Sequence, residues 1–426
     1  MSDERDLTSH RGINRAAHWL PPDVTLTDTG SDSGTASAAA RSRHVTVALV
    51  ALAMGGFAIG TTEFVSMGLL PQLARGVDVS IPAAGHAISA YALGVVVGAP
   101  TVAFLAARLP RRGLLVGLMA AFAVGNAASA LATSYGALLV ARFAAGLPHG
   151  AYFGVASLVA ASLVTADRKG RAVASVMLGL SVANVVGVPA ATWLGQNLGW
   201  RAAYWLVAVL GLVTVALVAA FVPSSEGDRG ATWKRELTAL GRPQVLLTLV
   251  AGAIGFGGMF AVFTYIVPTI TNVGGLPESV APFFLLAFGL GMVVGTWVAG
   301  RMADWSVMRS MFIGGAGQGV LLLLFSLLAP AGWWTLPVLF GITVTGSVLV
   351  VALQLRLMAV AEEAQTMGAA MNHAALNVAN ALGAWLGGLV IAAGWGYRAP
   401  AVVGAVLAAL GLLVLAWSAA LRGRHG

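Results

Sequence analysis

The sequence predicts an all-α membrane protein of twelve transmembrane helices arranged as two pseudo-symmetric six-helix halves. Three observations lead there. The composition is too apolar for a water-soluble chain, apolar runs of helical spanning length succeed one another regularly, and a near-constant offset superposes one half of the chain on the other.

Of the 426 residues, 58% are hydrophobic and only 9% are charged. A soluble domain carries roughly a quarter charged residues. An α-helix crosses the hydrocarbon with about 20 apolar residues and satisfies its own backbone hydrogen bonds, which lipid cannot do. Runs of this kind lie near 45–70, 83–106, 113–132, 137–163, 171–194, 201–222, 244–271, 280–303, 309–328, 334–358, 365–391 and 399–421. They suit helices and not barrel strands. Residues 1–44 are rich in Ser, Thr, Asp and Arg and hold no apolar core of a signal peptide, so they read as a disordered cytoplasmic tail.

The net charge of +8 raises the question of nucleic acid, and the placement of the charges answers it. With the tail inside, only Arg75, Arg201 and Arg398 of the 24 basic residues fall outside, and only Arg142 falls within a span. This asymmetry predicts both termini on the cytoplasmic side of the inner (plasma) membrane, with lipid and not nucleic acid as the surrounding partner. The organisation is then a tail (1–44), a first half (45–222), a polar cytoplasmic linker (223–243), a second half (244–421) and a cytoplasmic end (422–426).

The halves repeat. A shift of 197 residues carries Pro71 onto Pro268, and Gly94 and Gly98 onto Gly291 and Gly295. A shift of 196 carries "ANVVG" (183–187) onto "ANALG" (379–383), and "GW" at 199–200 recurs at 394–395. Six plus six helices joined by a polar segment is the pattern of parallel repeats about an axis along the membrane normal.

Away from the span ends, Glu63 and Arg142 are the two formal charges within the predicted helices. Each lies about 8 to 10 Å below the outer boundary at 1.5 Å per residue, so they can reach one another. Burial favours a neutral carboxyl and a nearby cation favours a charged one, so a glutamate alternating between those settings takes up and releases a proton. The plainer alternative is a protonated Glu63 bonded to a neighbouring helix and an Arg142 that braces helices. His149, two turns below Arg142 in "RFAAGLPHGAYFG", suits a proton relay by its intrinsic pKa or, as a neutral ring, an interhelical bond at the distortion expected of Pro148.

In "GLSVANVVGVPAATWLG" small residues recur every fourth position from Gly179 to Gly195, a seam for close helix approach. Gly187 and Pro189 within it are candidates for gating. The eleventh span repeats the seam with Ala375, Ala379, Gly383 and Gly387, and carries Asn372, His373, Asn377 and Asn380, the last matched by Asn184. These five polar groups either line a substrate cavity or bond helices together. Tyr265, with Tyr91, Tyr152, Phe153, Phe260 and Phe263, offers aromatic wall or core. Arg108, Arg111 and Arg112 form one cytoplasmic turn, and Arg301 with Asp304 forms its repeat, where Asp304 can bind charges of the other half when that side closes.

The chain has no cysteine, no phosphate-binding G-x-x-x-x-G-K-[ST] loop, no HExxH and no carboxylate cluster with metal-ligand spacing. Neither ATP-driven action nor enzyme chemistry is expected, and no metal or cofactor.

Taken together, the twelve repeated spans, "GTTEFVSMGLLP", "RFAAGLPHG" and "ANVVGVPAATWLGQ" resemble the major facilitator superfamily over about 45–421. They are most similar to its twelve-span drug:proton antiporters of the arabinose-efflux-permease-like branch. The resemblance implies alternating access around a central cavity, with proton influx driving export. It places Arg142 on the family's fourth-helix arginine, which assists proton transfer, and the Gly/Pro run on its antiporter motif. Ala107 and Pro110 depart from the family's G-x-x-x-D-R-x-G-R-R loop, which shifts inward closure toward Asp304. The expectation is a monomeric, proton-coupled exporter of small apolar or cationic molecules, against a sugar or metabolite exporter, or a non-transporting membrane sensor.

Overall fold

The computed structural model describes residues 31–106, 109–165, 168–224, 242–361 and 365–422. Most of the expected tail, most of the linker, Arg108 and the last four residues lie outside the described residues. The chain divides into two units, Met1–Arg43 and His44–Gly426, and the second carries the membrane-spanning helices.

Every described regular element is a helix. The first half comprises α1 (Ser31–Gly68), α2 (Leu70–Gly76), α3 (Ile81–Ala106), α4 (Arg111–Leu131), α5 (Tyr135–Ser162), α6 (Lys169–Val182), α7 (Val188–Leu198) and α8 (Trp200–Phe221). The second comprises α9 (Pro243–Gly255), α10 (Gly257–Thr264), α11 (Ile266–Asn272), α12 (Ala281–Trp305), α13 (Val307–Leu328), α14 (Thr335–Ala361), α15 (Gln365–Ala392) and α16 (Ala399–Arg422). Among the described residues, 11 helical stretches are long and apolar enough to cross a membrane. One of them, Val307–Val360, holds both α13 and α14, which pack on each other across a kink at Gly332, where φ is 57° and ψ is −104°. Twelve passes result.

Several expected single helices are broken, and the reasons are local. The first pass stops at Gly68 and resumes as α2 with Pro71 in its first turn; the seventh breaks at Phe256 and Tyr265, the latter just before Pro268. A proline ring cannot coexist with a regular preceding turn, and its missing N–H removes one intrahelical bond. In the fifth pass Pro189 follows a π-helical turn at Ala183–Gly187, where the Val188 N–H donates to the Ala183 carbonyl. That turn widens the helix by one residue within the small-residue seam. Pro148, by contrast, sits inside a continuous α5.

The repeat in sequence is a repeat in packing. Gly94 and Gly98 of α3 lie against the Phe143 and Leu147 carbonyls of α5, and Gly291 and Gly295 of α12 lie against the Phe340 and Val344 carbonyls of α14. Gly179 and Gly187 press on α1 at Ala53 and Thr61, as Gly383 and Gly387 press on the seventh pass at Gly257 and Tyr265. Both copies of "GW" turn on a left-handed glycine, Gly199 at φ 88° and Gly394 at φ 84°, a conformation that a side chain disfavours. The halves meet through α3 against α15, and through α7 with its π-helical turn against α12. The repeat relates these two pairs to each other, since they are passes 2 with 11 and 5 with 8.

Candidate functional site

Arg142 comes from the N-terminal part of α5 and is fully buried. Its Nη1 donates to Thr62 Oγ1 at 3.0 Å and its Nη2 to the Thr62 carbonyl at 3.3 Å, so one residue of α1 fills the guanidinium fork. Thr62 in turn donates to Asn126 Oδ1 at 2.6 Å, and Asn126, from α4, also lies 3.5 Å from Nη1. The planar cation rests on two rings, 4.3 Å from the Tyr91 centroid and 5.2 Å from that of Tyr204. Cation–π contacts are worth more when desolvated, as here. Tyr204 is itself fixed by Ser66 at 2.8 Å.

Glu63 comes next after Thr62 in the chain and lies within electrostatic reach of Arg142. Helix geometry allows the two to meet, yet the one ion pair among the described residues is elsewhere, between Arg75 and Glu278. The fork of Arg142 is occupied by Thr62, so Glu63 keeps its carboxyl free of any hydrogen bond among the described residues and retains 8% exposure. A carboxyl so placed feels the cation without being locked to it.

Below Arg142 the polar line continues. The Tyr91 hydroxyl and His149 Nδ1 are 3.1 Å apart. His149 packs on Phe153 with ring centroids 5.4 Å apart, and Phe153 stacks at 6.2 Å on His373 of α15, in the other half. From Arg142 to Phe153 this descends about 16 Å along α5. Arg142, Tyr91 and His149 therefore link the buried charge to the interface between halves.

Phe64, next in the chain after Glu63, packs into the second half. It lies 5.7–6.5 Å from the rings of Phe260, Phe263 and Phe288, and the last two stack at 3.6 Å. All four are buried. The result is an aromatic plug contributed by both halves beside the carboxyl.

The amide candidates divide into bonded and unbonded groups. Asn184 donates to the Leu180 carbonyl at 3.0 Å and Asn377 to that of His373 at 3.0 Å, each leaving its Oδ1 buried without a partner among the described residues. Asn372 Nδ2 and both amide atoms of Asn380 are likewise unpartnered. Buried amides normally find partners, so this band is suited to water or a polar ligand. Tyr265 is different: its hydroxyl donates to the Ala384 carbonyl at 2.8 Å and it abuts Gly85 of α3, a brace across the interface.

The gating candidates also separate. Arg112 donates to the Ala219 carbonyl in its own half, and Arg111 is half-exposed beside it. Arg301 lies over the Trp297 ring, and Asp304 is exposed with no ion pair among the described residues. Gly187 belongs to the π-helical turn against Thr61 and Phe57, and Pro189 lies in the first turn of α7.

At the opposite end a contact unforeseen from the sequence closes the two halves together. Glu278 of the short helix Glu278–Val280 accepts from Arg75 Nη1 at 3.0 Å, Arg75 Nη2 at 3.2 Å and Gln72 Nε2 at 2.9 Å. Its carbonyl accepts from Gln196 at 2.7 Å. The hydrogen bond to Glu278 holds the Arg75 pKa above its ordinary value. Glu278 thus latches α2 and α7 of the first half to the start of α12. Thr62, Phe64, Asn126, Tyr204 and Phe288 were likewise missed. A polar residue such as Asn126 inside an apolar span is a signal that was open to sequence reading.

Residues 52–372 match the family model described as Major Facilitator Superfamily. The chain is 44% identical over 384 residues to the inner membrane transport protein YdhP of Escherichia coli (strain K12), covering 87% of this chain and 95% of that protein. It is 36% identical over 376 residues to a chloramphenicol resistance protein of Streptomyces lividans, covering 86% and 94%. Its fold is like that of a bacterial homologue of the human lysosomal transporter Spinster, with a TM-score of 0.68 at 14% identity, over 88% of this chain and 97% of that one.

Proposed function

Since the chain belongs to the major facilitator superfamily of membrane transporters, we propose that it exports small apolar or cationic, drug-like molecules in exchange for protons, by alternating access. The observation that carries this reading is the environment of Glu63. A buried carboxyl, free of hydrogen bonds among the described residues, sits within electrostatic reach of a fixed guanidinium, in a scaffold whose second half has Phe260 and Leu339 at the matching positions. Ionisable groups at such depth are costly and are a functional site by default.

In the proposed cycle Glu63 takes a proton from the outer side, and the halves rock to open inward. Substrate binding near Arg142 then expels the proton inward, and the loaded carrier returns. A potential of 100 mV contributes about 2.3 kcal/mol per charge moved, enough to bias such an exchange. The latch at Glu278 and the plug around Phe64 fit a conformation closed at the outer end. The plug and Phe153 offer apolar surface to lipophilic substrates, and the relative named for chloramphenicol resistance supports that substrate class. The unpartnered amides of Asn372, Asn377 and Asn380 favour a second reading, a sugar or polar metabolite as the exported molecule. In either case the carrier works as a monomer with both termini in the cytoplasm, and His149 and Tyr91 relay between Arg142 and the interface.

Uptake of chloramphenicol and of sugars into inverted vesicles under an imposed pH gradient tests this. Gradient-driven flux is expected for the wild type and its loss for Glu63→Gln. Glu63→Gln transporting with unchanged pH dependence removes the proton role, and no driven flux of any substrate favours a sensor.

A further inference from the structure

The end of the bundle opposite Glu278 carries a feature that the transport cycle leaves unused. On α12, Trp297, Arg301 and Trp305 recur at four-residue intervals and so share one face. The Arg301 guanidinium lies 3.6 Å from the Trp297 ring, and Arg309, in the first turn of α13, lies 4.9 Å from the Trp305 ring. The two indoles are 61% and 60% exposed on a membrane-spanning surface, which turns them outward to lipid. Along α12 and into α13 the order is indole, guanidinium, indole, guanidinium.

These two arginines are held differently from others at the helix ends. Arg75, Arg112, Arg201 and Arg398 each direct guanidinium N–H groups to an acceptor of another helix or loop. Arg301 has only a long 3.4 Å contact to the carbonyl of Trp297 in its own helix, and Arg309 has no side-chain acceptor among the described residues. The neighbouring carboxylate, Asp304, makes no ion pair with either among the described residues. Stacking on an indole face fixes a guanidinium plane and leaves its N–H edge open, the edge that pairs bidentately with phosphate oxygens. Deeper along the same face of α12 run the exposed side chains of Val293, Val294 and Leu290, an apolar lane for an acyl chain.

We propose that Arg301 and Arg309, held on Trp297 and Trp305, bind the phosphodiester headgroup of an anionic glycerophospholipid whose acyl chain lies along α12. The positive-inside expectation puts this end in the cytoplasmic leaflet, where basic residues next to spans attract anionic lipid. The lane of apolar side chains selects a lipid over a free phosphate.

The test uses the full-length protein in nanodiscs of phosphatidylcholine doped with brominated phosphatidylglycerol, whose bromines quench nearby tryptophans. Brominated phosphatidylglycerol is expected to quench more than brominated phosphatidylcholine at equal fraction, with the excess lost in a Trp297→Phe/Trp305→Phe variant. In the Arg301→Gln/Arg309→Gln variant the apparent affinity for phosphatidylglycerol is expected to fall about tenfold, taking about fivefold or less per arginine. Arg301→Lys/Arg309→Lys, which keeps charge but loses the planar fork, should fall between. Equal quenching by both lipids in the wild type overturns the proposal without any variant. So does unchanged lipid preference in a glutamine variant that melts like the wild type, or displacement of the lipid by millimolar inorganic phosphate, which would mark a plain anion site.

Discussion

Replacing Glu278 by glutamine removes the charge of the latch that joins the two halves while keeping its size. The side chain loses its ionic bonds to both terminal nitrogens of Arg75, at 3.0 and 3.2 Å, while Gln196 still reaches the backbone carbonyl. Charge-assisted bonds contribute about 1.5–3 kcal/mol when shielded. Here the partners are 63% and 35% exposed, and exposed ion pairs are worth about 0–1 kcal/mol. A loss near 1 kcal/mol shifts the balance between outer-closed and outer-open states about fivefold. The chain contains no cysteine, so a single Leu285→Cys gives a background-free reporter. Leu285 lies two turns below Glu278, buried against Gly68 of the other half. Its rate of reaction with an impermeant maleimide applied outside should rise about threefold to fivefold in Glu278→Gln. An unchanged or slower rate would refute the assignment of Glu278 as a latch.

Thr62→Val removes the hydroxyl shared by Arg142 and Asn126 and should lower stability by about 1–3 kcal/mol, read as a lower melting temperature in detergent. Gly94→Ala places a methyl group against the Phe143 carbonyl and should destabilise by about 1–3 kcal/mol, whereas Gly113→Ala meets open space and should be neutral or slightly stabilising. Equal melting shifts for the two glycines would remove the close-approach argument.

The spans and the repeat were legible in the sequence because each leaves a local trace. Apolar runs mark the passes, and glycines such as Gly94 and Gly291 recur where two backbones must touch. Left-handed turns at Gly199 and Gly394 recur because both halves need the same tight connection. The charges Glu63 and Arg142 stood out because few neighbours in sequence are polar. Their partners did not, since the fork of Arg142 is filled from Thr62, 80 residues away, and the latch joins residues 203 apart. The π-helical turn at Ala183–Gly187 was hidden by a four-residue spacing that looks like regular α-helix, with Pro189 the only hint. Asp304 carried an expectation of cross-half pairing that depends on the bundle's conformation, and in this one it is exposed.

In the proposed cycle Glu63 exchanges a proton for substrate. The most direct test is proton release in weakly buffered detergent solution on addition of an exported substrate, tracked with a pH indicator. Wild-type protein should release protons on binding and Glu63→Gln should release none while still binding. Release from Glu63→Gln equal to that of the wild type would contradict the account.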